Sequence, residues 1–287
     1  MSLSVIILSF NRREALLRTL REVDVWRTAI NAEVIVVDNA STDNSPAAMR
    51  EHAPWARLIV QATNTGVAGF NAGAALATGD TFLILDDDSW PDPQALTAAL
   101  ALLAAKPTIA AVALVPKHPK TNAIEWPFVT RATPRCTIMG CGNLVRADAW
   151  RKVGGYEAGF FLYRNDTDLA MKLLGAGFDV WLDPAWIVWH DSPAATEKSE
   201  RWLHLATRNW LWLCRRHGAS WRIKLLAGTL GVLTAMRHAG PSLSRLRKVL
   251  RGVTDGIDLD APPVPPAVIV TGDAIKLYLR MRWRSQT

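Results

Sequence analysis

The sequence predicts an α/β protein built on a doubly wound sheet. Apolar runs of strand length alternate with segments of helical periodicity from Leu3 to Ala105, and parallel strands need such crossover connections. Two of the runs end in aspartates, Asp38 and Asp86, and ligands of doubly wound sheets bind beyond the carboxyl ends of the strands. No G-x-G-x-x-G follows the first run, which argues against a dinucleotide-binding dehydrogenase.

Each element has a local cause. LSVIILSF at 3–10 reads as a buried strand, and Arg13 to Val23 carries apolar residues at helical spacing. EVIVVD at 33–38 is a second buried strand; Ser45 followed by Pro46 then predicts an N-cap and first helical turn. RLIVQ is a short third strand, followed by the glycine-containing NTGVAGFNAGAALATG, and TFLILD is the fourth. Asp92 and Pro93 start the helix PQALTAALALLAA. After IAAVALVP the alternation becomes irregular, until the helical DTDLAMKLLGAG and the strand-like FDVWLDP and WIVWH. From Glu197 the chain is helix-like and rich in Arg and Trp, broken by HAGPS and by the linker DAPPVPP at 260–266 before a last amphipathic element.

Composition narrows the class. Of 287 residues 49% are hydrophobic, ample for a core. The net charge of +7 is uneven, with 17 Lys/Arg against 20 Asp/Glu in residues 1–196 and 16 against 6 in residues 197–287. The second part therefore favours an anionic surface, membrane or nucleic acid, although it contains no nucleic-acid-binding module. Cys136, Cys141 and Cys214 make neither a disulfide framework nor a C-x-x-C pair, so a reducing compartment is expected. The start of the chain lacks the pattern of a secretory signal, and the apolar stretch Leu225 to Met236 is too short to span a bilayer.

The chemistry concentrates in LILDDDSWPDP. Three adjacent carboxylates repel one another unless a cation or a solvated loop accommodates them. Hard divalent ions such as Mg²⁺ and Mn²⁺ prefer oxygen ligands, and in extended chain the first and third side chains of D-x-D share one side. Asp86 and Asp88 are then the candidate ligands, with Asp87 pointing elsewhere. Asp38 suits a ribose or base, or a local Asx turn. In YRNDTDLAMKLL, Asp168 reads as a helix-start carboxylate and Asp166 as a candidate general base. His190, at the end of WIVWH, is either structural or a third ligand.

In the order VIILSFNR, VIVVDNASTD, NTGVAGFNAG, LILDDDSWP, GCGNLVRADAWRKVGGYEAGFFLYRNDTDLAMKLLGAGFDVWLDP, WH and RNWLWLCRRHG, the chain resembles the family 2 glycosyltransferases over about residues 3–220. It is similar to their bacterial rhamnosyltransferase and galactofuranosyltransferase branches. The resemblance implies a GT-A fold, a nucleotide-binding doubly wound mixed sheet over residues 1–196, followed by the basic helical extension 197–287. It implies an inverting transfer from a nucleotide-diphosphate sugar to a hydroxyl of a glycan or lipid-linked acceptor, in cell-surface polysaccharide synthesis. Ser9, Phe10, Arg12, Asp38, Asn64 and Asp87 would contact the donor. Asp86, Asp88 and His190 would hold Mn²⁺ or Mg²⁺ on the diphosphate, and Asp166 would be the catalytic base. Where the family commonly has an acidic residue before that base, this chain has Asn165.

Asn165 keeps open a catalytically silent nucleotide-sugar-binding scaffold, and the acidic cluster by itself also allows a nucleotide-hydrolysing enzyme. Seven of the 13 tryptophans fall between Trp181 and Trp221, joined by Arg208, Arg215, Arg216, Arg222 and Lys224. Such a segment suits a membrane interface or a basic helix packed on the catalytic domain. The expected location is the cytoplasm, peripheral on the inner face of the cell membrane, with a homo-oligomer left open.

Overall fold

The computed structural model of the protein describes residues 1–126, 130–192 and 198–283. Its elements are β1 (Leu3–Ser9), α1 (Arg13–Arg27), β2 (Glu33–Asp38), α2 (Ser45–His52), β3 (Arg57–Val60), α3 (Ala68–Leu76), β4 (Thr81–Asp86), β5 (Ser89–Pro91), α4 (Pro93–Ala105), β6 (Ile109–Lys117), β7 (Asn143–Arg146) and α5 (Ala147–Val153). They continue with α6 (Asn165–Gly175), β8 (Asp179–His190), α7 (Glu200–His217), α8 (Trp221–Ala239), α9 (Leu243–Asp258) and α10 (Asp273–Trp283).

The strands form one sheet in the order β3-β2-β1-β4-β7-β6-β8-β5. β1 to β4 are mutually parallel, β7 runs antiparallel to both β4 and β6, and β8 is parallel to β6. The fold is thus a mixed α/β sheet, the architecture that the resemblance implies. Alternation along the strands divides the core. Val5, Ile7, Val34, Val36, Leu83 and Leu85 face one layer with Leu16, Leu20 and Leu96 of α1 and α4. Ile6, Ile35, Val37, Phe82 and Ile84 face the other with Phe70, Trp150, Leu169 and Trp210 of α3, α5, α6 and α7.

Several elements differ from the sequence reading for local reasons. The glycine-containing segment forms α3, because Gly69 and Gly73 admit it against the side chains of Leu8 and Ile6. α2 is capped by Asn44 in a left-handed conformation (φ 62°), while the Ser45 hydroxyl donates to Asp43. FDVWLDP and WIVWH merge into β8, whose pairing with β6 shifts register between Ala113 and Val115. Asp92 does cap α4, accepting from the Gln94 and Ala95 amides at 3.0 Å.

The boundary expected at residues 196/197 lies outside the described residues. Beyond it, α7 belongs to the core: Trp210, Trp212, Leu213 and Cys214 are buried, and Arg208 donates to the carbonyls of Gly159 and Phe160. Arg215 donates to the carbonyls of Gly256, Ile257 and Leu259. The tryptophans and arginines of α7 are therefore consumed by protein contacts, and none of this set makes a lipid-facing stripe.

Asp168 is not a helix cap. It is fully buried and accepts from Arg216 Nε at 3.0 Å and His217 Nε2 at 2.8 Å, with Lys172 Nζ at 3.5 Å. Arg216 also donates to the carbonyls of Pro262 and Pro263, so one carboxylate ties α6, α7 and the linker together. Burial by itself would raise its pKa, but His217, Lys172 and Arg216 hold it down at about 2. Because this lies below the ordinary carboxylate value, the stabilisation is complete above about pH 4 and is lost as pH falls through about 2. Asp168→Asn should cost about 3 kcal/mol in urea unfolding at neutral pH, because it leaves buried cations uncompensated. A loss below about 0.5 kcal/mol, the range of an ordinary surface substitution, would refute the role.

Candidate active site

Parallel pairing assembles the first part of the site. In register, Ser9 lies opposite Asp38 and Leu8 opposite Asp86, so the ends of β1, β2 and β4 form one polar edge. Asp38 accepts from the Ser41 amide, three residues on, at 2.9 Å through Oδ2, while its buried Oδ1 has no hydrogen-bond partner. Ser9 Oγ is likewise buried without a well-formed hydrogen bond, and Phe10 exposes its ring at the rim (39%). Asn64 accepts from Asn39 Nδ2 at 3.1 Å and from the Gly66 amide at 2.8 Å. Asn39, buried beside Asp38, also accepts from the Thr65 amide and so fixes the loop holding Asn64; the sequence reading passed over it.

The aspartates do not continue the strand. β4 ends at Asp86, and the chain turns at Asp87 and Asp88 before β5. The alternation argument for pairing Asp86 with Asp88 therefore gives way to a turn, which divides the three carboxylates differently. Asp87 Oδ1 lies 3.3 Å from Arg12, and its Oδ2 accepts from the Phe10 amide at 3.4 Å. Asp88 Oδ2 lies 2.8 Å from the same guanidinium. Arg12, expected to contact the donor, pairs with both carboxylates of this turn.

His190 arrives by long-range pairing. β5 runs antiparallel to β8 with Ser89 opposite His190, and the Asp191 amide donates to the Asp88 carbonyl at 2.9 Å. His190 Nε2 then lies 3.4 Å from Asp88 Oδ1, and Nδ1 meets the Glu125 carboxylate. Burial would lower the pKa of His190, but Cys141, Asp88 and Glu125 overcome it and raise it far above the ordinary value. Asp86, Cys141 and His190 bring potential ligand atoms within 4.8 Å of one another. Neither Glu125 nor Cys141 carried a sequence signal, since both come from the irregular stretch before β7.

Electrostatics follow from this crowding. Burial and Asp88 push Asp86 up to about 7, with Asp166 adding to the rise. Burial lifts Asp87 to about 6 against the pull of Arg12. Asp88 stays below the usual range because His190 and Arg12 outweigh its burial. The Cys141 thiol is pushed up to about 12 by burial, leaving it a neutral neighbour at physiological pH.

The residues fit a hard divalent cation. Both Asp88 carboxylate oxygens are buried without a hydrogen bond of good geometry, although two cationic groups are near. The Asp86 carboxylate and the His190 imidazole converge with the Cys141 thiol, Asp88 lies against His190, and Glu125 on Nδ1 is the kind of outer partner that aims Nε2 at a metal.

Asp166, in the first turn of α6, is close enough to Asp86 to raise its pKa. It accepts from the Tyr156 hydroxyl at 2.6 Å, and burial raises its pKa in spite of that bond. Tyr156 is held by edge contacts with Trp150 and Phe70, at ring separations of 5.0 and 5.5 Å, and by backbone hydrogen bonds with the Asn71 amide group. The approach to α6 is strained: Phe161, Tyr163 and Arg164 all adopt positive φ near 60–70°. Asn209 of α7 holds this bend, its Nδ2 donating to the carbonyls of Phe160, Leu162 and Tyr163 at 2.8–3.0 Å. Asn165, at the start of α6, is buried. Tyr156 and Asn209 were missed by the sequence reading; a lone Asn within the apolar face of RNWLWL was the available signal for the second.

Tyr156→Phe removes the donor that favours the ionised form, so the Asp166 pKa should rise further. A carboxyl ¹³C titration would read the upward shift, and an unchanged midpoint would show that the bond does not tune this group.

Residues 4–167 match Glycosyl transferase family 2. A glycosyltransferase of Nostoc sp., described as uncharacterized, is 39% identical over 95 residues, covering 31% of this chain and 29% of that protein. The N-acetylglucosaminyl-diphospho-decaprenol L-rhamnosyltransferase of Mycobacterium tuberculosis is 25% identical over 264 residues, covering 75% of this chain and 86% of that protein. The match thus spans less than a third of the Nostoc protein's length and most of the mycobacterial one. Among solved structures, a mannosyltransferase from Pyrobaculum calidifontis in complex with GDP-Man and Mn²⁺ shares the fold with a TM-score of 0.60 and 21% identity, over 99% of this chain and 83% of that one. S. aureus TarS 1–349 in complex with UDP-GlcNAc gives 0.64 and 16% identity, over 100% of this chain and 88% of the other. With the strand-end carboxylates, the crossing His190 and the matched residues together, the chain belongs to glycosyl transferase family 2.

Proposed function

We propose that the protein is an inverting, divalent-cation-dependent glycosyltransferase that moves a sugar from a nucleotide-diphosphate donor to a hydroxyl of a glycan or lipid-linked acceptor in cell-surface polysaccharide synthesis. The observation that carries this reading is the clustering of Asp86, Cys141 and His190, with Asp88 against His190 and, near Asp86, an Asp166 held by Tyr156. The Mn²⁺ and GDP-Man named for the P. calidifontis structure support a metal and a sugar nucleotide. The decaprenol-linked substrate in the name of the mycobacterial relative supports a lipid-linked acceptor. A peripheral position on the inner face of the membrane accords with such an acceptor, and among the described residues no helix is long and apolar enough to cross a bilayer.

In this mechanism the unpartnered Asp38 oxygen accepts from the nucleoside, the Ser9 hydroxyl beside Asp87 lines the same edge, and the exposed Phe10 ring covers it. Asn64, fixed by Asn39, lines the donor side. Asp87 acts through Arg12, keeping the turn that carries Asp88 in place. Asp86, Asp88 and His190 would hold the cation, which supplies Lewis-acid stabilisation of charge on the departing diphosphate. Asp166 takes the proton of the acceptor hydroxyl as its oxygen attacks the anomeric carbon from the face opposite the diphosphate. One base and one in-line displacement invert the configuration. Tyr156 opposes the rise of the Asp166 pKa that burial causes, which favours the ionised form a base needs.

Asp166→Asn should lower transfer at least about 10²-fold while leaving nucleotide-sugar binding intact, measured by product formation and calorimetry. Retained transfer would remove Asp166 as the base. If the wild-type protein neither transfers nor hydrolyses any member of a panel of nucleotide sugars with Mn²⁺ or Mg²⁺, the silent scaffold replaces the enzyme. Asp86→Asn combined with Asp88→Asn should abolish the dependence of donor affinity on divalent cation; a dependence that survives would relocate the metal site.

A further inference from the structure

α8 and α9 form an antiparallel hairpin laid on α7. Their small residues face inward: a Cβ on Gly231 would strike the Trp210 ring, and one on Gly252 would fall 2.5 Å from the His204 carbonyl oxygen. With both glycine-bearing faces turned to α7, the opposite faces of the two helices point outward together. Those faces are apolar. On α8, Trp221, Leu225, Leu226 and Leu233 are 57–68% exposed, and at 100° per residue they fall within an arc of about 140°. On α9, Leu243, Leu250 and Ile257 repeat every seventh residue and are 57–74% exposed.

The charge around them is predominantly basic. Between Ser220 and Thr254 there are Arg222, Lys224, Arg237, Arg245, Arg247, Lys248 and Arg251, and no Asp or Glu; Asp255, which pairs with His204, and Asp258 follow only at the end of α9 beside Ile257. Single exposed leucines need no explanation, but two apolar stripes in a mostly basic frame do.

We propose that the α8–α9 hairpin is a membrane-docking face that seats Trp221, Leu225, Leu226, Leu233 and Leu250 among the lipids of an anionic bilayer surface. This deepens the membrane-associated reading above, but it is read without sugar transfer. The basic residues supply attraction to acidic headgroups, the apolar residues supply shallow insertion, and the helices lie along the surface. A second copy of the chain fits worse, because self-pairing of α9 along Leu243, Leu250 and Ile257 would oppose the exposed Arg247 and Arg251 of each copy. The docked face is joined to the active site through α7, whose Asn209 holds the bend before Asp166.

The test is sedimentation of the full chain with phosphatidylcholine vesicles, with and without phosphatidylglycerol. Wild type should bind the anionic vesicles and not the neutral ones. The triple variant Leu225→Ser, Leu226→Ser, Leu233→Ser should bind at least about tenfold more weakly, with an unchanged thermal midpoint. Arg247→Glu with Arg251→Glu provides an independent arm and should weaken binding with a reduced salt dependence. No binding to anionic vesicles at low salt overturns the proposal. So does undiminished binding by both variants, or a dimer in light scattering that Leu250→Ser dissolves while vesicles leave the protein unbound. Donor affinity, measured on the same variants, stays at the wild-type value in either case and separates this surface from the catalytic reading.

Discussion

Parallel registration of β2, β1 and β4 is the constraint on which the site depends. Three neighbouring strands that end level with one another place their terminal residues side by side, and here those residues are Ser9, Asp38 and Asp86. Each strand interior is buried on both faces, so a shift of one residue would turn polar ends inward and apolar residues out. The core thus fixes the pocket edge to the same precision with which it fixes itself. Everything that approaches the edge later in the chain, from the Asp87–Asp88 turn to His190, is fitted to that frame.

The second half of the molecule is bound to the first by buried polar contacts rather than by a flexible tether. Asp168 alone engages Arg216, His217 and Lys172, while Asn209 satisfies three carbonyls of the strained bend that leads to α6. A charge cluster of this kind costs desolvation and contributes little net stability over an apolar substitute, but once built it tolerates few alternative arrangements. The consequence for chemistry is positional. Asp166 sits at the start of a helix whose Asp168, two residues on, is locked to α7, so the base and the extension cannot move independently.

Much of the site was legible in the chain. Strand-length apolar runs ending in Asp38 and Asp86 were enough to bring those residues together, and the helix start around Asp92 and Pro93 follows from capping chemistry alone. Other parts were misread where a local rule met a tertiary requirement. The D-x-D alternation assumed continued strand, whereas the chain turns at Asp87, and Asp168 resembled a cap because nothing in the local sequence announces Arg216 and His217 more than forty residues later. Glu125, Cys141 and Tyr156 lie in stretches without periodicity, so no pattern marked them before their partners were in place.

The basic extension marks the division most clearly. Amphipathic periodicity says that a helix buries one face, and it says the same whether the partner is protein or lipid. The sequence by itself determined the doubly wound sheet, the strand-end carboxylates and the charge imbalance between the two parts, because each follows from short-range periodicity and composition. Only the tertiary structure decided that α7 spends its tryptophans and arginines on protein contacts while α8 and α9 leave large apolar residues outward, and that His190 meets Asp88 and Tyr156 meets Asp166. Those assignments depend on contacts between residues far apart in the chain, where the only record of a partner is the folded arrangement itself.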